Sequence, residues 1–184
     1  MSTSKAAPRK STRKTPPPAP QPERFIVLLR HGIAEDPTPE KKDEDRSLTA
    51  EGHARMKEIA RGLSRVLPKA QAIYSSPLLR AVQTALWVSK GYQSRAAVTT
   101  TEALVPGAST KDFLALIASI KERRAVIIGH EPTLTDDLRA LVELNQWDRV
   151  ELKKGGCYGV RILGDGTAVW EWMLTPRILR KLGD

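Results

Sequence analysis

A chain of 184 residues with 40% apolar and 28% charged side chains is long enough for one domain with its own core and too balanced to be disordered throughout. A single cysteine, Cys157, excludes an internal disulfide framework and a cysteine-rich zinc site. Of the formal net charge of +9, +5 falls on residues 1–24, where Lys5, Arg9, Lys10, Arg13, Lys14 and Arg24 face only Glu23. Nucleic-acid binding by the remainder therefore does not follow from the charge. The N-terminus has no apolar signal core and no apolar run is long enough to span a bilayer, so a soluble cytoplasmic protein is expected.

Residues 1–24 are rich in Pro, Lys, Arg, Ser and Thr, with the run Pro16-Pro17-Pro18. Such a stretch buries too little apolar surface to offset its ordering entropy, so a disordered basic tail is expected, able at most to contact polyanions weakly. A domain over 25–184 follows. Phe25 to Leu29 is a continuous apolar run ending at Arg30-His31-Gly32, which predicts a strand buried on both faces. Residues 35–46, charged and carrying Pro37 and Pro39, predict a surface loop. Thr49 reads as an N-cap to a helix in which Met56, Ile59, Leu63 and Val66 recur at helical spacing until Pro68.

Ala72-Ile73-Tyr74 predicts a short strand leading into Ser75-Ser76-Pro77, with a helix over 78–90 and a short strand near Val98. A helix is expected from Asp112 to Ile120, a buried strand over Ala125–Ile128 ending at Gly129-His130, and a helix from Leu134 to Leu144. Two late strands, about 156–163 and 168–174, are joined by Gly164-Asp165-Gly166 and form a hairpin. Cys157 falls in the first of them and reads as an inert buried thiol. Trp87, Trp147, Trp170 and Trp172 read as core or edge packing, and His53 as an exposed residue in the first turn of a helix. The alternation of strands and helices predicts an α/β three-layer sandwich, its central sheet mostly parallel and flanked by helices, with a C-terminal antiparallel hairpin.

Three of the buried strands run into polar residues at their C-terminal ends: Arg30-His31, the segment Ser75 to Arg80, and Gly129-His130. In open α/β sheets ligands bind in the crevice outside those ends, so segments remote in sequence can converge there. Arginine offers a planar fork of donors matched to phosphate oxygens, and neutral imidazole offers a lone pair for in-line attack at phosphorus. Two histidines and two arginines at one crevice therefore suit a doubly charged phosphoryl group. No carboxylate or histidine cluster of metal-binding spacing accompanies them, and neither metal nor cofactor is expected.

The blocks Leu29-Arg30-His31-Gly32, Tyr74-Ser75-Ser76-Pro77-Leu78-Leu79-Arg80-Ala81-Val82-Gln83-Thr84-Ala85 and Ile128-Gly129-His130-Glu131-Pro132 resemble, in this order, the signature of the histidine phosphatase superfamily, which also contains the phosphoglycerate mutases. The short domain, Ala103-Leu104-Val105-Pro106-Gly107 before a helix, and the close Trp172-Met173-Leu174-Thr175-Pro176 are similar to its SixA-type branch of phosphohistidine phosphatases, which act on phosphotransfer domains. The resemblance implies that His31 is the nucleophile that becomes phosphorylated. It implies that Arg30 and Arg80 clamp the phosphoryl oxygens and that His130 is the second phosphate-binding histidine. A backbone carbonyl accepting the Nδ1 proton of His31 would leave Nε2 free to attack, and Gly32 would let the chain turn tightly beside the phosphate.

Larger members carry a carboxylic acid that protonates the leaving oxygen. Glu102 is the candidate here, with solvated glutamate the plain alternative; Glu131, directly after His130, could serve in principle but reads rather as a cap on the helix starting near Thr133. A phosphorylated imidazole can leave as neutral imidazole without such an acid, so a site lacking one favours protein phosphohistidine. The expected function is hydrolysis of protein phosphohistidine, the partner being a phosphorylated protein such as a phosphotransfer domain. A broad phosphomonoesterase acting on small phosphate esters or polyphosphate is the alternative enzyme, and a non-catalytic phospho-binding module the alternative of another class. A mutase is disfavoured because enclosing an intermediate calls for a longer chain.

Overall fold

The structure is a computed structural model and describes residues 22–93, 98–144 and 150–184; the tail over 1–21 and Trp147 lie outside the described residues. In chain order the elements are β1 (Arg24–Arg30), α1 (Ala50–Val66), β2 (Ala72–Ser75), α2 (Leu79–Gly91), β3 (Val98–Thr100), α3 (Thr110–Ser119), β4 (Arg124–Gly129), α4 (Thr133–Leu141), β5 (Cys157–Ile162), β6 (Ala168–Leu174) and α5 (Pro176–Gly183). Single 3₁₀ turns lie at Asp43–Asp45 and Glu102–Leu104.

One six-stranded sheet runs in the order β3-β2-β4-β1-β5-β6. β3, β2, β4 and β1 are parallel, β5 is antiparallel to β1, and β5 and β6 form the expected hairpin. Side chains of β1 and β4 alternate between two cores, as the two-residue period of a strand requires. Val27, Leu29, Val126 and Ile128 pack against α1, α2 and α5 through Met56, Leu63, Ala85, Val88 and Leu179. Ile26, Leu28, Ala125 and Ile127 face α3 and α4 through Phe113, Ile117, Leu134 and Leu138. With both faces covered, every one of those strand residues is fully buried, at about 1.5–3 kcal/mol for each large side chain. This is why β1 and β4 read as unbroken apolar runs.

The fold matches the sequence reading closely, with differences that have local causes. The strand expected from Phe25 begins at Arg24, whose guanidinium turns inward to donate to the Ile117 and Ile120 carbonyls, so Arg24 belongs to the domain and not to the tail. Thr49 caps α1 by accepting from the Gly52 N–H at 3.0 Å. The helix expected to reach Leu144 ends at Leu141, with Glu143 in the left-handed region at φ 54°. Helix α5 was not expected. It is capped by Thr175 with Pro176 at its first turn, a pairing that signals a helix start. It packs on α1 so closely that a Cβ on Gly62 would lie 1.9 Å from the Leu179 carbonyl oxygen. His53 is half-buried and accepts a hydrogen bond from the Trp87 indole at 2.9 Å, so it is a packing residue and not an exposed one.

Candidate active site

Because β4 lies between β1 and β2, the C-terminal ends of these three strands are neighbours. The register continues past them: the His31 N–H donates to the Gly129 carbonyl at 3.1 Å and the Ser76 N–H to the Ile128 carbonyl at 3.0 Å. The His31 and His130 rings are thereby brought to 4.9 Å between centroids. Both are nearly buried, at 5% and 3% exposure, as is Arg80 at 4%. The chain segments carrying Arg30, His31, Arg80 and His130 thus converge on one crevice.

The Nδ1–H of His31 donates to the carbonyl of Gly32 at 2.7 Å. A carbonyl can only accept, so this bond fixes the tautomer and leaves Nε2 as the lone-pair nitrogen. Gly32 is needed for close approach and not for a turn: a Cβ there would sit 2.6 Å from Met56 Cγ, and its φ is not in the left-handed region. Its N–H donates to the Thr84 hydroxyl at 3.0 Å, which in turn donates to the Arg80 carbonyl at 2.7 Å. One buried threonine therefore ties the loop after His31 to the first turn of α2.

Burial pushes the pKa of His31 down to about 3, helped by His130 and the charges of Arg80 and Arg30 and opposed by the Gly32 bond. Burial likewise holds His130 at about 3, with Arg80, Arg30 and Arg46 adding to the effect. Both imidazoles are neutral at physiological pH, the state a nitrogen nucleophile requires. Around them, both ring nitrogens of His130 and the Nε of Arg30, Arg46 and Arg80 are buried without a hydrogen-bond partner. Buried donors are seldom left unpaired, and a ring of cationic ones suits a tetrahedral anion.

Arg46 and Asp43 were missed by sequence reasoning. They sit in the charged loop, which the Ala34–Leu48 bridge closes and Gln83 pins down through Ser47 and the Leu48 N–H. Asp43 binds Arg80 twice, by its carbonyl at 2.7 Å and its carboxylate at 2.8 Å, and Arg46 at 3.3 Å. It orients two guanidinium groups at once. Arg30 is held by the Leu152 carbonyl at 2.7 Å. Loop charges carry no periodic signal, and the tether to Gln83 with the Asp43–Arg80 contacts is what places this loop at the site.

Glu102 is exposed at the start of a 3₁₀ turn and lines a surface groove with Glu44, Asp45 and Leu79. Glu131 lies just before α4, whose N-cap position is Pro132, and its carboxylate meets the Thr135 backbone N–H of the first turn. Its carboxylate accepts from the Thr135 hydroxyl at 3.0 Å, and that hydroxyl also pairs with the Tyr158 hydroxyl at 2.9 Å. Burial pushes Glu131 up to about 7 against the pull of Thr135 and Arg30. It is thus half-protonated near neutrality beside His130.

Asp137, on α4, is 1% exposed, and neither carboxylate oxygen has a well-formed hydrogen bond. Burial raises it to about 7 from 3.8, with Asp136 and Glu131 adding to the rise and the Thr110 hydroxyl opposing it. Between those pH values the folded chain holds a proton that the unfolded chain has shed. Its contribution to stability therefore falls as pH rises from about 4 to 7 and is level above that. Asp137→Asn is expected to raise stability by about 1–3 kcal/mol at pH 8 and by almost nothing at pH 4. Paired urea titrations of variant and parent across this range isolate the effect from the opposite slope of the two histidines, and a pH-independent difference would refute it.

Comparison with known proteins bears on this geometry. Residues 26–105 match the profile of the histidine phosphatase superfamily (branch 1). An uncharacterized protein of Picosynechococcus sp. is 32% identical over 139 residues, covering 74% of this chain and 84% of that protein. Among solved structures, the protein histidine phosphatase SixA complexed with tungstate superposes with a TM-score of 0.76 at 20% identity, over 84% of this chain and 99% of that one. A phosphoglycerate mutase from Bacillus anthracis str. Sterne gives 0.72 at 14% identity, over 90% and 99%. At such identities these two establish the shared fold. The chain belongs to the histidine phosphatase superfamily and is a phosphatase by class.

Proposed function

We propose that this protein hydrolyses protein phosphohistidine through a covalent phosphohistidine on His31, in the manner of the SixA-type branch. The observation that carries the reading is the 2.7 Å bond from His31 Nδ1 to the Gly32 carbonyl, which leaves Nε2 unprotonated among cationic donors. Nε2 attacks phosphorus in line, the P–N bond to the substrate imidazole breaks, and that imidazole departs neutral because its other nitrogen keeps a proton. Water then displaces His31 from phosphorus, giving inorganic phosphate and free enzyme. Arg30, Arg80 and His130 bear on the phosphoryl oxygens, with Arg46 adding charge, and stabilise the charge that spreads over them. No described helix is long and apolar enough to cross a membrane.

One observation favours the second reading, a phosphomonoesterase acting on small esters. Glu131 is a carboxyl that keeps its proton up to about pH 7, and an ester leaving group needs such an acid where an imidazole does not. Glu131 takes this role in preference to the exposed Glu102. The readings part in one steady-state experiment on a phosphohistidine protein and a sugar phosphate. The expected result is kcat/KM higher by about 10²-fold or more for the phosphoprotein, with Glu131→Gln slowing only the ester, by about 10²-fold. A parent enzyme that prefers the ester would overturn the phosphohistidine reading. Equal loss on both substrates would make Glu131 a structural residue and not an acid.

A further inference from the structure

We propose that the protein carries a second ligand site, for a ring-bearing polyanion of the nucleoside diphosphate class, in a cleft at the end of the sheet opposite His31. The cleft measures about 640 Å³ and opens at the N-terminal ends of β1, β2 and β4, within the size range of small-molecule sites. β1 alone separates it from the catalytic crevice by seven residues, roughly 20 Å of extended chain. A ligand held there cannot touch the histidine pair.

The cations of the cleft divide into two sets. Arg24 is turned inward on the Ile117 and Ile120 carbonyls, and Arg161 is paired with Glu171 at 2.5 Å and Glu23 at 3.9 Å. Lys69, Arg123 and Arg124 have no carboxylate partner among the described residues, and Arg124 uses only one side-chain nitrogen, on the Pro68 carbonyl at 3.2 Å. All three are exposed. Lys69 moreover sits in the left-handed region at φ 61°, a conformation a lysine adopts at a cost. The same cleft is lined by Phe25 and Trp172, stacked at 5.7 Å and 27°.

Each half of this lining selects against a simpler ligand. A bare anion would use the cations and leave the rings idle; an apolar molecule would bring no charge to three unpaired cations. A base that stacks on an aromatic face and carries two phosphates uses both. The charge count also favours it, since the only carboxylates lining the cleft, Glu23 and Glu171, are already engaged by Arg161.

The probe is ADP, titrated calorimetrically into the full chain carrying His31→Ala and Arg80→Ala, which disables the catalytic crevice, with pyrophosphate as comparison. The expected result is one ADP per chain, bound at least about tenfold tighter than pyrophosphate. Adding Lys69→Glu with Arg123→Glu is expected to weaken it at least about tenfold. Adding Lys111→Glu with Lys181→Glu, the same change of charge at exposed positions outside the cleft, is expected to leave it unaltered. A thermal melt of each variant verifies the fold. Absence of binding at about 1 mM ADP, pyrophosphate binding as tightly, or equal weakening by the control pair would each overturn the proposal.

Discussion

His31→Ala is expected to lower turnover of any phosphorylated substrate by at least about 10⁴-fold, and to abolish acid-labile, alkali-stable phosphoenzyme in a rapid-quench incubation with labelled phosphoprotein. The size follows from what is removed. Alanine takes away the bond-forming nitrogen, and the remaining cations can only stabilise charge on a phosphoryl group that nothing attacks. His130 cannot substitute directly, because its ring lies 4.9 Å from that of His31, centroid to centroid, and a nucleophile must be aligned with the departing group. The parent His31 is already neutral at physiological pH, so the substitution alters no charge there, and lost activity reports lost chemistry. For the same reason the parent should show no activity loss from histidine protonation until the pH approaches about 3. Label that persists on the alanine variant would overturn the covalent mechanism.

Arg80→Ala is expected to cost about 10²–10³-fold in kcat, the scale of losing one preorganised donor to transition-state charge, with a smaller rise in KM. Two effects combine. The guanidinium that faces both imidazoles is lost, and Asp43 loses the partner it holds by two contacts. That frees a carboxylate beside the phosphate, its remaining cationic partner being Arg46. Arg80→Lys should recover little, because a single ammonium cannot hold Asp43 by both contacts while facing the phosphoryl oxygens. Steady-state kinetics on the parent and both variants decide the matter. A lysine variant with near-parental kcat would show that charge alone is needed there, and that the fork held by Asp43 is not.

Legibility from sequence followed the strength of the local signal. β1 and β4 were plain because both of their faces are buried, and the Arg30-His31 and Gly129-His130 blocks were plain because each sits at the end of such a strand. Helix α5 was overlooked although Thr175-Pro176 marks its start, since its eight residues are too few for a clear apolar period. Asp43 and Arg46 could not be found by pattern. Their place is set by a tertiary tether to Gln83, and in sequence they are two charges among many. The choice between two candidate acids was closed to the sequence for a related reason. Glu102 and Glu131 are both lone glutamates near a turn, and only burial, which depends on the packing of α4 against β5, separates a solvated carboxylate from one that keeps its proton.

The position of β4 has a consequence for how activity is acquired. The strands bearing His31 and the Ser75–Ser76 segment do not pair with each other; each meets the later strand that arrives between them. Until about 130 residues have been made and that insertion has occurred, no sheet pairing can bring the segments carrying His31, Arg80 and His130 together, and only the Gly32–Thr84–Arg80 bonds link two of them. Such pairings across long stretches of chain close slowly. A nascent or half-refolded molecule is therefore expected to lack activity toward phosphoryl groups until β4 has paired with both β1 and β2.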